Sequence, residues 1–367
     1  MTMSQAEFEP VLGPRVWTGP DMATRESEWT REFTPDEIAQ LDAAIAAVQQ
    51  QGIEIINVRK ESFPLPTLGP ALEQLQQTLQ RGRGFVRLRG LPVERYDTEQ
   101  AAIAYFGIGA YLGQAVSQNA RGHALGHVYN LGFDPTLPTA RGYQSANKLN
   151  FHTDPTDLVG LLCLRKSKSG GMSSIVSAGQ VFNTILKARP DLIKVLAGTF
   201  YRDRRGEIPV GREPWYRLPV FNFRNGALLT NYVRSTIEKA QRFDDVPRIT
   251  DLQREAFAFI EQTTSDPALH LNMAFEPGDI QILNNHYILH SRTAYEDFQE
   301  PEKRRHLLRL WLASEHGPAL PEQYYEFMDK TASGRPNGYL VDDITLTTPL
   351  TPEDGGPGTS TQRVAAS

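Results

Sequence analysis

Cysteine is almost absent from this chain of 367 residues, in which Cys163 is the single example. One cysteine excludes an internal disulfide and fits a reducing compartment. Cys163 lies within the apolar run 158–164, which has the composition of a buried strand. We therefore interpret Cys163 as a small buried hydrophobe.

Long apolar runs and an excess of basic residues are also missing. Nowhere do about 18 apolar residues follow one another, and residues 1–30 lack the basic start and apolar stretch of a signal peptide. We therefore expect a cytoplasmic protein without membrane partners. The net charge is −5, and no basic stripe is interleaved with aromatics, which argues against nucleic acid as a partner. The sequence leaves open whether the chain forms a homo-oligomer.

The order of strand-like and helix-like segments predicts one domain. We expect residues 1–30 to form an arm on the surface, 31–344 a single domain, and 345–367, rich in Pro, Gly, Thr and Ser, a disordered tail. Strand patterns lie before and after a mainly helical stretch at about 178–268. This order favours a mainly β protein with helical insertions, whose core is a jelly roll, or double-stranded β-helix.

Local signals mark several elements. Thr34 and Thr250 each begin a pattern typical of a helix N-terminus, and Thr34 is followed by Pro at the first helical position. His123 and His127 are four residues apart, but the glycines around them argue against a helix that presents both as ligands. We expect these two histidines to lie on the surface or in a loop.

The segment 150–154 carries the strongest chemical signal. His152 and Asp154 stand two residues apart, just before the apolar strand 158–164, so on an extended backbone their side chains point the same way. A third imidazole from elsewhere would complete a set of two His and one carboxylate around Fe(II), which leaves coordination positions open. This pattern is typical of a catalytic metal site.

Further motifs downstream extend this pattern. The sequence Gly170-Gly171-Met172-Ser173 follows the apolar strand, Gly278-Asp279 leads into another strand, and Asn285 stands five residues before His290. Arg305 and Arg309 then share strand parity. With these motifs, residues 75–315 resemble the taurine dioxygenase (TauD/TfdA) family of Fe(II)/2-oxoglutarate-dependent oxygenases. Ser173 stands where the family has Thr, and His286 where it usually has Arg.

The resemblance implies the cofactors and their ligands. It makes His152, Asp154 and His290 the metal ligands and catalytic residues, with Fe(II), O₂ and 2-oxoglutarate as co-substrate. It assigns Arg305, Ser173 and Arg309 to 2-oxoglutarate. A guanidinium suits this role, because the co-substrate's distal carboxylate must be neutralised in a dry pocket. The carboxylate at 154 occupies the position that a halide takes in related halogenases, which predicts hydroxylation or desaturation.

Substrate contacts are less defined. Lys148 and Asn150 share the face of His152 and are candidates for binding the prime substrate, as is Arg309. Paired interior cations suit a small anionic substrate, although 2-oxoglutarate could claim both arginines. Two alternatives remain open at this point. One is a cupin-like metal-dependent dioxygenase or isomerase that does not use 2-oxoglutarate, and the other is a non-catalytic jelly-roll binding protein.

Overall fold

The computed structural model describes residues 8–132, 142–339 and 344–352. Its helices are α1 (Gly19–Ala23), α2 (Glu26–Trp29), α3 (Pro35–Gln50), α4 (Leu68–Gln80), α5 (Thr98–Ala110), α6 (Ala178–Ala188), α7 (Pro190–Leu196), α8 (Arg234–Lys239) and α9 (Asp251–Thr264). Its strands are β1 (Thr30–Glu32), β2 (Phe85–Arg89), β3 (Gln114–Ala115), β4 (Leu125–Tyr129), β5 (Leu149–His152), β6 (Leu158–Arg165), β7 (Ser169–Gly170), β8 (Ser173–Ser177), β9 (Tyr201–Asp203), β10 (Trp215–Arg217), β11 (Phe221–Arg224), β12 (Ala227–Thr230), β13 (Leu271–Met273), β14 (Ile280–Asn284), β15 (Ile288–Arg292), β16 (Tyr295–Glu296) and β17 (His306–Ala313).

Helix capping follows the sequence signals. At α3 the Thr34 hydroxyl accepts from the amide of Glu37, whose carboxylate accepts from the amide of Thr34 in return. Thr250 and Gln253 form the same reciprocal pair at the start of α9. Each pair satisfies two amides that have no partner inside the helix. Both predicted helix starts are therefore confirmed.

Two sheets form the β core. The larger has the strand order β1-β2-β14-β6-β17-β3, with β4 also paired to β17, and the smaller has the order β13-β8-β15-β5. Apolar side chains from both sheets, including Cys163 on β6 and Ile175 on β8, fill the space between them. This is the predicted mainly β architecture with a double-stranded β-helix core. The prediction that Cys163 is buried is also confirmed, and burial raises the pKa of its thiol to about 12.

Alternation along β17 gives the larger sheet two different faces. Leu308, Leu310 and Leu312 pack with α3, α4 and α5, whereas Leu307 and Trp311 face the smaller sheet. Successive side chains of a strand point to opposite faces, so the odd-numbered residues of β17 look toward the space between the sheets. Arg309 therefore lies in that space.

The connection between β8 and β13 contains α6 to α9 and two hairpins, β9–β10 and β11–β12. Helices α6, α7 and α9 cover the outer face of the smaller sheet, where Val176 and Leu289 join their apolar cluster. The connection runs from Ser177, the last residue of β8, to Leu271, the first residue of β13. Within the described residues, the structure holds no helix with the length and apolar character needed to cross a membrane.

Two expectations about the ends of the chain need correction. Trp17 and Trp29 are buried against Phe85, so the segment before β1 contributes to the core and is not a surface arm. Thr347 exchanges backbone hydrogen bonds with Gly122 and Ala124, so residues 344–352 pack against the domain. The rest of the predicted disordered tail, 353–367, lies outside the described residues.

The expectation that His123 and His127 lie on the surface or in a loop is wrong for His127. Both side chains are buried, and His127 lies on β4, which pairs with β17. Gly126 lies within β4, and Gly122 lies in the turn that precedes this strand. The pairing of β4 with a strand far along the chain cannot be read from local composition.

Candidate active site

Three side chains converge at one end of the smaller sheet. His152 and His290 are cross-strand partners in the β5–β15 ladder, with ring centroids 4.3 Å apart, and Asp154 follows β5 directly. One ligand atom from each residue lies within 4.8 Å of the other two. The three predicted ligands are therefore brought together, and within the described residues they are the one group of this kind.

The backbone around the triad is fixed by polar side chains. The amide of Asp154 donates to Oδ1 of Asn285 at 3.0 Å, which ties the segment after β5 to the turn between β14 and β15. Nδ2 of the neighbouring Asn284 donates to the backbone carbonyl of Leu79 and to Oε1 of Gln80. These contacts fix the segment after β5 and the turn before β15, and so bring His290 close to His152 and Asp154, from which it is distant in sequence.

Hydrogen bonding and burial prepare the imidazoles for a metal. Nδ1 of His152 lies 2.8 Å from the carbonyl of Asn150, so that nitrogen donates and Nε2 is left as a ligand. Burial lowers the pKa of His152, and burial with the charge of nearby groups lowers the pKa of His290 to about 3. Both rings are therefore neutral near pH 7, which is the form that binds metal.

Asp154 is oriented by two residues of β17. Its Oδ2 accepts from the indole of Trp311 at 2.8 Å and lies 3.4 Å from Nη1 of Arg309. Burial acts to raise the pKa of Asp154, but Arg309, the two histidines and Trp311 outweigh it and lower the pKa. Arg309 is itself held by Gln118, whose Oε1 accepts from Nε at 2.8 Å. The carboxylate is thus ionised and fixed in one orientation.

His286, the other histidine of the β14–β15 region, has a different role. Its Nε2 lies 2.8 Å from Oδ1 of Asp157, a buried carboxylate that also pairs with Arg335 and accepts from the amide of Ser314. The ring therefore points away from the triad. This placement agrees with the choice of His290 as the distal ligand.

Arg305 lies in the cavity beside the triad, next to the Gly-Gly turn. A Cβ at Gly171 would stand 3.1 Å from Nε of Arg305, and one at Gly170 would stand 2.2 Å from the carbonyl of Ala294. Gly170 and Gly171 also have positive φ, 72° and 71° respectively. The turn can therefore form only without side chains, and it leaves room for the guanidinium.

A second arginine, which the sequence reasoning missed, accompanies Arg305. Arg292 stands two residues after His290 on β15 and directly opposite Ser173 on β8. Arg292 and Arg305 lie on the ring of Tyr295, with centroid distances of 4.7 and 5.2 Å. The parity rule that linked Arg305 to Arg309 would have found Arg292 if it had been applied to the strand of His290.

Within residues 8–132, 142–339 and 344–352, neither of these buried cations forms an ion pair with a carboxylate. Nε and Nη1 of Arg292 and Nη1 of Arg305 have no hydrogen bond within the described part of the chain. Burial, together with the charge of Arg305, lowers the pKa of Arg292 to about 10, and burial lowers the pKa of Arg305. A carboxylate bound here would satisfy the free N–H groups and offset this cost.

Both the triad and the arginines line one cavity of about 460 Å³. Ser173 lies on its wall, with its hydroxyl donating to Gln281 at 3.0 Å. Lys148 and Asn150 are exposed at the cavity wall. Arg309 already pairs with the metal-binding carboxylate of Asp154. All eight predicted site residues border this cavity: His152, Asp154, His290, Arg305, Ser173, Arg309, Lys148 and Asn150.

Comparison with known families agrees with this geometry. Residues 45–311 match the model of the family described as "Taurine catabolism dioxygenase TauD, TfdA family". The chain belongs to this family. It is accordingly a non-haem iron oxygenase, and the resemblance noted in the sequence is confirmed.

Individual relatives cover most of the chain. FR-33289 synthase from Streptomyces rubellomurinus is 32% identical over 85% of this chain and 93% of its own length. Taurine hydroxylase-like protein SAT17 from Stachybotrys chartarum is 31% identical over 86% of this chain and 83% of its own length. The structure of an asparagine oxygenase in complex with Fe(II), 3-hydroxyasparagine and succinate has 15% identity and a TM-score of 0.63, covering 85% and 99% of the two chains. That likeness shows the shared fold.

The site fits the cofactors that the family uses. Two neutral imidazoles and an ionised carboxylate form a donor set suited to Fe(II), with room for further ligands on the cavity side. The buried guanidinium groups next to it suit the distal carboxylate of 2-oxoglutarate.

Proposed function

We propose that this protein is an Fe(II)/2-oxoglutarate-dependent dioxygenase that hydroxylates or desaturates a small molecule. In the hydroxylation, a substrate C–H group, 2-oxoglutarate and O₂ give the alcohol, succinate and CO₂. Iron with 2-oxoglutarate and O₂ supplies the oxidising power for C–H cleavage. The protein supplies binding and orientation.

The observation that carries the proposal is the position of Arg292 and Arg305 relative to the triad. Arg292 follows His290 by two residues on β15, a rise of roughly 6.6 Å along the strand. This spacing suits a five-carbon diacid with one end at the metal and the other at the arginines. Ser173, opposite Arg292 in the ladder, adds a hydroxyl at the same end.

Arg309 is better assigned to the metal-binding carboxylate than to the distal end of 2-oxoglutarate. Its Nη1 contacts Asp154 and its Nε is engaged by Gln118, so it is fixed beside the triad. There it is placed to bind whatever anionic group lies next to the metal. Lys148 and Asn150, at the cavity wall, are proposed to contact the prime substrate.

A cupin-like enzyme that works without 2-oxoglutarate is the second candidate. The triad would serve it equally well, but two buried guanidinium groups with no carboxylate partner in the described part of the chain would then be an unexplained cost. A non-catalytic binding protein would have no need of a neutral, oriented imidazole pair. The arginines therefore favour the first proposal.

The experiment that tests the proposal measures succinate formed from 2-oxoglutarate under air with Fe(II), in the presence of small acids, amines and amino acids. We expect a subset of these compounds to stimulate succinate formation and to be converted to hydroxylated or desaturated products. Added chloride or bromide should give no halogenated product, because Asp154 occupies the position that a halide would need. Product formed without consumption of 2-oxoglutarate would support the second candidate.

A further inference from the structure

The turn after β9 has an unusual backbone. Arg205 and Gly206 both have positive φ, 56° and 82°, and the amide of Glu207 donates to the carbonyl of Arg204 at 3.0 Å. Two such residues in succession form a mirror-image turn, in which Asn, Asp or Gly is preferred at the first position. An arginine in this position is strained, because its Cβ crowds the backbone.

A second turn in the same protein shows the usual solution. Asn225 and Gly226, between β11 and β12, have φ values of 50° and 75°. Within the described residues, Asn225 and Arg205 are the two non-glycine residues with positive φ. Asparagine adopts this conformation at a lower energetic cost than arginine, so only the Arg205 turn departs from the preferred sequence.

Neighbouring groups hold the strained turn in place. The amide of Arg205 donates to Oδ1 of Asp203 at 2.7 Å, and Glu207 accepts from the amide of Ala120 at 2.9 Å. Arg204 binds the carbonyls of Glu213 and Phe327. Strained backbone that is held by several surrounding contacts occurs mostly at functional sites.

The strained residue points its charge into the active-site cavity. Arg205 lines the cavity together with His152, and its charge is one of the contributions that lower the pKa of that histidine, after burial. Its Nε is buried without a hydrogen bond, and Nη2 makes one long contact, 3.3 Å, with the hydroxyl of Ser235. In the part of the chain that the structure describes, no carboxylate forms an ion pair with Arg205.

Acidic groups near Arg205 are already engaged. Glu238 and Glu261, on the same cavity wall, both pair with Arg234. Asp203 pairs with Arg242 at 2.9 Å. The guanidinium of Arg205 is therefore a positive charge near the metal triad that no carboxylate among the described residues pairs with.

We propose that Arg205 binds the acidic group of the prime substrate, a carboxylate, sulfonate or phosphonate, and thereby selects small acids. This assignment rests on the proposed function and extends it to the substrate class. The turn conformation directs the side chain toward the triad, so the bound acid has its remaining carbon atoms beside the metal. Arg205 is thus a specificity residue separate from the arginines assigned to 2-oxoglutarate.

The test uses full-length protein loaded with Fe(II) and 2-oxoglutarate in the absence of O₂. Binding is measured by calorimetry for 4-aminobutyrate, 3-aminopropanesulfonate and 3-aminopropylphosphonate. The matched control compound is 4-aminobutanamide, in which a neutral amide replaces the carboxylate. We expect at least one acid to bind and the amide to bind at least tenfold more weakly. Comparison of the three acids identifies which acidic group the site prefers.

The decisive variant is Arg205→Asn, which gives this turn the same Asn-Gly pair as the β11–β12 turn. We expect its melting temperature to equal or exceed that of the wild type, because strain is relieved, while the dissociation constant for the acid rises at least tenfold. Arg205→Lys should keep part of the affinity. Arg212→Gln, which removes an exposed charge from the same connection outside the cavity, should leave acid binding unchanged.

Three results would overturn the inference. They are the absence of binding for every acid in the wild type, equal binding of the amide, and unchanged acid affinity in Arg205→Asn. Binding of 2-oxoglutarate to the Fe(II)-loaded wild type is measured separately. If 2-oxoglutarate does not bind, the proposed function itself fails. If 2-oxoglutarate binds, any of the three results above contradicts only the role of Arg205.

Discussion

Trp311 donates its indole N–H to Oδ2 of Asp154 at 2.8 Å, across the space between the two sheets. Trp311 lies on β17 and Asp154 follows β5, so the contact links the larger sheet to the metal-binding end of the smaller one. Because Asp154 carries the only carboxylate of the triad, this indole sets the orientation of the ligand.

Replacing Trp311 by Phe should therefore weaken Fe(II) binding by roughly 10- to 100-fold, the usual effect of losing a partner of a metal ligand. The aromatic ring is retained, so packing changes little. Metal affinity is measured by titration without O₂. Trp29→Phe is the matched control, because it removes a buried indole bond to the carbonyl of Met22 away from the site. Equal metal affinity in both variants would contradict an orienting role for Trp311.

Replacing Arg305 by Leu should weaken 2-oxoglutarate binding by on the order of 2–5 kcal/mol, because a buried carboxylate loses its charged partner. Lys at this position should restore only part of the 2-oxoglutarate affinity, since it lacks the planar fork of donors. Calorimetric titration of Fe(II)-loaded protein without O₂ provides the measurement. Arg304→Leu, whose side chain binds the carbonyls of Phe298 and Gln299, is the neighbouring control.

Arg292→Gln should also reduce 2-oxoglutarate affinity, because two of the free N–H groups in the cavity belong to Arg292. If Arg309→Leu weakens 2-oxoglutarate binding while Arg305→Leu and Arg292→Gln do not, the roles of the arginines are reversed. The same calorimetric titration distinguishes these outcomes.

A buried chain of imidazoles gives the fold a specific pH dependence. Arg165 can only donate, so Nδ1 of His306 accepts from it, and Nε2 of His306 then donates to Nδ1 of His127 at 2.7 Å. His127 donates in turn to the carbonyl of Pro349. Both rings are neutral in this arrangement. Burial first, and then the charges of His127 and Arg165, lower the pKa of His306 to about 3.

The folded pKa of His306 lies below its ordinary value of 6.5, so its contribution to stability is present above pH 6.5 and is lost as the pH falls toward 3. We expect a slope of roughly 1 kcal/mol per pH unit from this residue between about pH 6 and 4.5. His306→Gln should flatten the slope of the unfolding free energy measured in urea at several pH values. His316→Gln, at an exposed position, should leave it unchanged. If the unfolding free energy falls with pH equally steeply in the wild type and in His306→Gln, His306 does not contribute to the pH dependence as described.

The sequence predicted the parts of the site that depend on local spacing. His152 and Asp154 share a face of one extended segment, and helix capping at Thr34 and Thr250 is encoded within four residues. Apart from the meeting of His290 with His152 and Asp154, which the family resemblance implied, contacts between distant segments were not predictable. Gln118 meets Arg309 from 191 positions away, and His127 is buried because β4 joins a strand far along the chain. The conformation of Arg205 was also missed, because arginine disfavours the left-handed region and local preference predicts the opposite.

We propose that His152, Asp154 and His290 hold Fe(II) in a form that 2-oxoglutarate can chelate. The most direct measurement adds Fe(II) and then 2-oxoglutarate to the protein without O₂ and records the visible absorption band that such chelation produces. We expect a saturable band in the wild type and in His316→Ala, and none in His152→Ala at matched folded content. A band of wild-type intensity in His152→Ala, or no band in the wild type, would contradict it.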